Sequence, residues 1–516
     1  MRTWLSWTML TCVVIGSQSA AAATYTMTPE DDWSVLEKAQ AGDVVEIAPG
    51  TYDFRVYLEN AGTAAEPIVI RAADPADKPV WDLVGDEDHL VSDAPGSYTA
   101  GDLNRGCWQV GPSGAYYDIS GIVFRNCRDS ASAGLRLVNS GPVALTDCLF
   151  ENNTNGLTGA SEDLVVEHCE FRNNGQVFEG GNMTHNIYIY GGNFTMRYCY
   201  NHDSHEGQLF HVRAAHSIIE YNWLARPAGY VGDIMSCEYL CDGTAQYMSL
   251  TGNVIIQGTP ANQSQIIALY DDEETGVTEM NIELQYNTVI GTPRNPGQSH
   301  TLLNLRNDSI DTHAVVNNNI IYQMGQVVEV ADAGLSNWSF AGAFNWVSAG
   351  TELSSLSDST EGADPGFADA EALDFTLTES GSAVDAANPS LGTEPQAEYY
   401  LNETVARGFR VRESADDAGA FEFGTSGDGI DAYGEIPTAS GDGDADGDAD
   451  GDVDGDADGD VDGDADGDVD GDVDGDADSD ADSDSDDTVT SDTDGCGCRA
   501  VGEQRSRMHN LFQLLP

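Results

Sequence analysis

The sequence predicts an all-β solenoid wound as a parallel β-helix, on three observations. First, short segments in which apolar and polar residues alternate recur through the middle of the chain: ISGIVFRN, LTDCLFEN, VEHCEFRN, MRYCYNHD, IEYNWLAR, LTGNVIIQ, LQYNTVIG and VNNNIIYQ. Second, their fourth positions hold Ile122, Cys148, Cys169, Cys199, Asn222, Asn253, Asn287 and Asn319, spaced by 26, 21, 30, 23, 31, 34 and 32 residues. Third, the closely spaced hairpin turns that a β-sandwich would need are scarce. Such short strands cannot bury an apolar side alone. Stacked, each coil pairs its backbone with the next about 4.8 Å away, and the inward side chains form one column. A stacked asparagine can bond the turn backbone and the amide above it, and a stacked cysteine acts as a compact apolar filler. Irregular spacing then means insertions in the loops.

The elements follow in chain order. Residues 1–23 read as a secretory signal peptide: Arg2, an apolar run from Trp4 to Gly16 too short to span a bilayer, and small residues suited to cleavage at Ala21 to Ala23. A short capping helix is expected next, with Thr28 as N-cap, Pro29 at the first helical position, and Trp33 and Leu36 on one face. It would cover the open edge of the stack. The coils are assigned to 24–345 and a closing segment to 346–424. An aspartate-rich linker follows at 425–487, and 488–516 form a short, polar tail.

From Asp442 to Asp494 there are 26 aspartates and no Lys or Arg, so removing them takes the formal charge from −67 to −41. The body is acidic as well, and its only lysines are Lys38 and Lys78. Such a surface repels nucleic acid and anionic membranes. No later stretch is apolar enough to span a bilayer, and a monomer is expected. The tail reads as an extended, disordered, self-repelling spacer. Its DGDADGDVDG units partly match calcium loops but lack the closing glutamate. Export permits disulfides, with Cys237–Cys241 and Cys107–Cys127 as candidate pairs.

GDVVEIAPGTY followed by EPIVIRAAD resembles the opening coils of right-handed parallel β-helix proteins of the pectin-lyase-like superfamily, and DPGFADAEALDFTLTESGSAVDAANPS with DAGAFEFG resembles the closing segment of its bacterial members. The resemblance covers roughly 24–424 and implies a right-handed coil that binds polysaccharide along one sheet. THNIYI and YNHDSHEGQLFHVRAA resemble one exported bacterial subgroup, which carries Gly-His and a lysine where this chain has Gly207-Gln208 and His211. SDTDGCGCRA resembles the C-terminal surface-sorting signals of myxobacterial-type exported proteins, without the apolar helix and basic cluster that complete them.

Counting twelve residues back from Cys169, Cys199 and Asn222 gives Leu157, Ile187 and Phe210, three apolar residues expected inside. Alternation places Ile189 and Val212 inside too, and Thr158, Tyr188, His211, Tyr190 and Arg213 outside. His185 and Gln208 occupy matching positions, and the segments IIALY and LLNLR add Tyr270 and Arg306 outside. An outward stripe of tyrosine, histidine and arginine suits sugars: rings cover sugar faces, and arginine grips a uronate carboxylate bidentately.

A polysaccharide lyase needs a base for the proton beside the carboxylate and a neutraliser for the enolate-like charge. His211 is the candidate base, Arg213 the neutraliser, and Tyr188 or His185 the proton donor. Tyr190, Tyr270, Arg306, Asp233, Asp271 and Asp272 are candidate substrate contacts. The aspartates also offer carboxylates to a glycoside hydrolase, the less favoured reaction. Asp203 and Glu206 are candidate metal ligands. The superfamily resemblance implies that Ca²⁺ can bridge an acidic sugar to an acidic groove. The reading is a secreted or cell-surface protein acting on an acidic glycan, with a non-catalytic, adhesin-like glycan binder as the alternative and a purely structural envelope protein as a third.

Overall fold

A computed structural model describes residues 22–83, 95–99, 103–128, 133–177, 183–258, 265–271, 275–291, 300–306, 309–330, 336–353, 355–399, 408–427 and 429–430. The expected signal peptide up to residue 21 and nearly all of the expected acidic linker and tail lie outside these residues. Among those described, strands pair almost entirely in parallel, in one sheet of 21 strands and another of 12. The larger sheet is two ladders joined where Asn155–Glu167 and Ile187–Arg197 run unbroken round a corner. Each middle coil therefore adds three strands, and the chain is a parallel β-helix. Parallel crossovers of this kind wind right-handed.

The inner column is built by side-chain alternation. Leu157, Ile187 and Phe210 stand in direct register and are fully buried. On the 12-stranded sheet the inward rings run from Phe124 to Phe150 to Phe171, with centroids 4.9 and 4.8 Å apart and planes nearly parallel. Such pairs add about 0.5–1.5 kcal/mol beyond their area burial.

The cysteine and asparagine positions form the expected file. The amide of Cys148 meets the Cys169 sulfur at 3.4 Å, and the amide of Cys199 donates to Asn222 Oδ1 at 2.9 Å. The asparagines continue through Asn253, Asn287 and Asn319 to Asn345. A second file, Asn153–Asn174–Asn186–Asn201, sits at another corner. The residue before each member of the first file turns with positive φ, including Tyr198, Tyr221, Tyr286 and Phe344. A left-handed turn costs a residue with a side chain roughly 1–2 kcal/mol, and the ladder bonds hold the corner against it.

Both ends depart from expectation. Thr28 does not cap a helix; its amide and hydroxyl bond Asp31 Oδ2 in a turn that ends the first strand. The helix is a single turn, Ser34–Glu37. It still does the capping. Leu36 enters the core, and the Glu37 carboxylate accepts the amide of Tyr57 at 2.9 Å, on the terminal strand of its ladder. At the other end the coils continue past residue 345, through Trp346–Ser348 and Thr360–Gly362. The closing segment then runs back along the flank. Phe375, Tyr399, Phe409 and Phe421 cover the outward apolar residues Tyr198, Trp223, Val254 and Trp346. Both candidate disulfides are formed.

Burial pushes the Glu37 carboxyl up to about 7, with Asp32 adding to the effect and the Tyr57 amide opposing it. Its native form holds a proton that the unfolded chain has released, so stability falls as pH rises between about 4.5 and about 7. Glu37→Gln keeps the acceptor and removes the titration. The variant should melt above the wild type at pH 8 but not at pH 4. Parallel melting curves at both pH values would refute this.

Candidate active site on the first ladder

One outward file crosses successive coils: Thr158, Tyr188, His211 and Asp233 stand in direct register. Gly232 makes the last step possible, because a Cβ there would lie 2.3 Å from the inward Phe210 ring. Without it the coil carrying Asp233 could not close on the coil carrying His211.

His211 Nδ1 lies 3.2 Å from Asp233 Oδ2. A carboxylate only accepts, so an Nδ1–H faces it, and in the neutral ring the lone pair then sits on Nε2. That nitrogen and Asp233 Oδ1 are both buried and have no hydrogen-bond partner among the described residues. The His185 ring lies 5.1 Å and the Tyr188 ring 4.3 Å from the His211 ring, centre to centre. His185 Nδ1 accepts the amide of Gln208 at 3.1 Å, which leaves its proton on Nε2. Burial, with neighbouring His211 adding to it, holds the His185 pKa well below the usual histidine value. His185 is therefore neutral at pH 7 and can donate only as an imidazole. Burial, helped by Tyr190, pushes the Tyr188 phenol above its ordinary range while Arg213 opposes, so it stays protonated. Tyr190 packs edge-on against Tyr188 at 4.4 Å, and its hydroxyl accepts from Thr158 at 3.1 Å.

Arg213 differs from the expectation. It is only 2% exposed, with NH1 2.6 Å from Glu238 Oε2 and Nε donating to the Ser236 carbonyl at 3.0 Å. Its fork is held by the protein and does not lie open to a uronate. Glu238, which sequence reasoning missed, sits between Cys237 and Cys241. The only hint was an acidic residue inside a closely spaced cysteine pair.

Farther along the same face, the hydroxyls of Tyr230 and Tyr270 approach to 3.3 Å. Arg306 lies over the Tyr270 ring at 5.2 Å and bonds Asn304, which in turn donates to Glu329. Arg306 is the half-exposed arginine of this face. Asn304 stands three rungs from His211, about 14 Å at the spacing of paired strands. Arg306 thus lies well away from His211 along this face.

The remaining candidates fall elsewhere. Asp233 serves His211 and is not a free second carboxylate. Asp271 Oδ2 accepts the amide and hydroxyl of Ser309, each at 2.6 Å, and so ties two successive coils together. Asp272 lies outside the described residues. Asp203 sits on the 12-stranded sheet, paired with Arg226 at 2.6 Å and with His202 at 2.7 Å. A guanidinium occupies the place expected for a metal, and its hydrogen bonds together with His202 hold the Asp203 carboxyl well below the usual range despite burial. Glu206 lies on the next turn, half-exposed.

Calcium needs six to eight oxygen ligands. In this groove the carboxylates are engaged one at a time, Asp233 by His211, Glu238 by Arg213 and Glu329 by Asn304. Among the described residues no three His, Cys, Asp or Glu side chains converge as a metal site. Among the described residues the donor set does not fit a resident calcium ion.

No family model matches the chain, and no curated protein does. Among solved structures it is similar to the pectate lyase Pel9A, with 14% identity and a TM-score of 0.45 over 78% of this chain and 97% of that one. It is also similar to an alginate lyase from Paenibacillus sp. str. FPU-7, with 12% identity and a TM-score of 0.29 over 66% and 98% of the two chains. The GH136 lacto-N-biosidase from Eubacterium ramulus gives 10% identity and a TM-score of 0.36 over 66% and 68%. Similarity at this level is a matter of fold alone.

Proposed function

We propose that the protein is an exported polysaccharide lyase acting on an acidic glycan, with His211 as the base. The observation that carries this is the His211–Asp233 pair on the outward file, with Nδ1 3.2 Å from the carboxylate and Nε2 buried without a hydrogen-bond partner among the described residues. A buried polar atom without a partner costs roughly 1–3 kcal/mol. A substrate proton brought to Nε2 relieves that cost. Tyr188 and neutral His185 are the nearby proton donors, and Arg213, clamped by Glu238, holds this wall of the groove in place. Arg306 with Tyr270 holds a uronate farther along the chain. Export is supported by the signal-like leader and by two disulfides, which persist in oxidising compartments.

The buried Arg213–Glu238 pair favours a second reading, a binder that grips the glycan without cleaving it. One experiment separates the two. The full chain is incubated with a panel of acidic polysaccharides, with and without calcium, and the ultraviolet absorbance of unsaturated uronates is followed. We expect product, and its loss in His211→Ala with glycan binding retained. No product from any polysaccharide overturns the lyase reading, and binding without product establishes the second.

A further inference from the structure

We propose that the second ladder carries a separate saccharide site, selective for uncharged sugar residues. It is a cleft of about 310 Å³ lined by Asp163, Asn193, Thr195, His216, Ile218 and Asp242, with buried Phe194 as its floor. That volume is at the small end of ligand sites, the size of one or two sugars.

Its walls are ordered by register. Asp163, Asn193 and His216 stand on consecutive rungs about 4.8 Å apart, with Tyr247 on the next rung at the edge of the cleft. His216 and Tyr247 stack with centroids 5.3 Å apart and planes 30° apart, and His216 Nε2 lies 3.3 Å from Asp242 Oδ2. Tyr247 is 47% exposed and Ile218 42% exposed, so an aromatic and an aliphatic face stand in water beside carboxylates and an amide. This is the combination that holds a pyranose: apolar faces for its C–H side, paired acceptors for its hydroxyls.

Charge sets the selectivity. No Lys or Arg lines the cleft, and burial alone raises the Asp163 pKa without a cation to oppose it. Two carboxylates repel a uronate, whereas in the first groove Arg306 stands half-exposed. The two sites share a strand and a loop. Ile187–Arg197 presents Tyr188 and Tyr190 to the first and Asn193 and Thr195 to the second. In the disulfide loop Glu238 reaches Arg213 and Asp242 reaches His216. The loop is wedged tightly, since a Cβ on Gly191 would fall 1.7 Å from the Tyr239 carbonyl oxygen. A heteropolysaccharide with an acidic backbone and neutral branches matches both faces. That last step rests on the proposed function, while the cleft stands on its own geometry.

The test titrates the full chain with neutral glucose-, galactose- and mannose-based oligosaccharides and, separately, with a galacturonate oligomer. We expect at least one neutral probe to bind and to stay bound when galacturonate is added. Tyr247→Ala and Asp242→Asn should each weaken it by about tenfold or more, while Tyr247→Phe, which keeps the ring, binds as the wild type does. Galacturonate binding with no neutral binding overturns this site and leaves the proposed function standing. Unchanged affinity in both Tyr247→Ala and Asp242→Asn also overturns it, as does displacement by galacturonate. If neither class of sugar binds, this site falls, and the lyase reading is decided by the polysaccharide panel.

Discussion

Replacing Asn253 by alanine should lower the free energy of unfolding by about 4 kcal/mol, since each buried group left unpaired costs roughly 1–3 kcal/mol. The amide side chain is completely buried and works in both directions along the stack. Its oxygen accepts the Asn222 backbone amide and the Asn222 Nδ2, both at 2.9 Å. Its nitrogen donates to the Ile219 carbonyl at 2.8 Å and to Asn287 Oδ1 at 2.9 Å. Alanine strands the Asn222 amide, one Asn222 side-chain proton and the Ile219 carbonyl in a dry interior. It also loosens the corner at Tyr221, whose positive φ the ladder helps to enforce. Coils contact only their neighbours, so the damage should divide the unfolding transition in two. Urea denaturation followed by tryptophan fluorescence, with Trp223 in the adjoining coil, and by circular dichroism measures both effects. A loss below about 1 kcal/mol, the net worth of one ordinary hydrogen bond, would show that the ladder is a consequence of the fold and not a cause. Cys169→Ala is the natural comparison. Its sulfur makes only weak bonds, donating to the Glu167 and Leu145 carbonyls at 3.2 and 3.8 Å and accepting the Cys148 amide at 3.4 Å, and its removal should be milder.

The difference between those two positions shows what a sequence can disclose about such a fold. A file of asparagines is visible because the same side chain solves the same corner problem in every coil, and the period-two alternation fixes which residues face inward. That is why Leu157, Ile187 and Phe210 align as expected, and why Tyr188 and His211 share the outer face. The left-handed corners at Tyr198, Tyr221 and Tyr286 are hidden, since nothing in a tyrosine announces positive φ. The second asparagine file is obscured because Asn174 and Asn186 are only twelve residues apart, a spacing that does not follow the coil repeat.

Side-chain partners between coils are harder still. Arg213 reads as an exposed cation from alternation alone. Its burial depends on Glu238, brought over by a disulfide loop whose path no local pattern encodes. Asp203 reads as a metal ligand beside two histidines, yet Arg226 reaches it from the next coil. The capping helix was legible in composition but shorter than its pattern, because Asp31 draws Thr28 into a turn and Asp32 Oδ1, which accepts the Ser34 amide at 3.0 Å, starts the helix later.

Asp233→Asn should lower turnover on the cleaved glycan by about 10²–10⁴, the range by which positioned general bases and their orienting carboxylates contribute, while leaving KM nearly unchanged. Asp233 touches no substrate atom in this scheme. It acts through His211 by accepting the Nδ1 proton, which leaves the lone pair on Nε2. An amide of the same shape can present its NH₂ group to Nδ1, and the imidazole then answers with the opposite tautomer. Its proton moves to Nε2, where the base should be. The ring stays where Tyr188 and His185 hold it, so the groove keeps its shape and the glycan still binds. Asp233→Glu retains an acceptor and should recover part of the activity, which a merely structural role would not produce, because the longer side chain would disturb packing more than asparagine does. The decisive readout is the split between kcat and KM across the two variants, with nitrogen chemical shifts of His211 reporting the tautomer directly. If Asp233→Asn keeps turnover within about threefold of the wild type, far inside the range expected for a lost base, the pair is not the catalytic base. The unpartnered Nε2 then belongs to a site that binds sugar without cutting it.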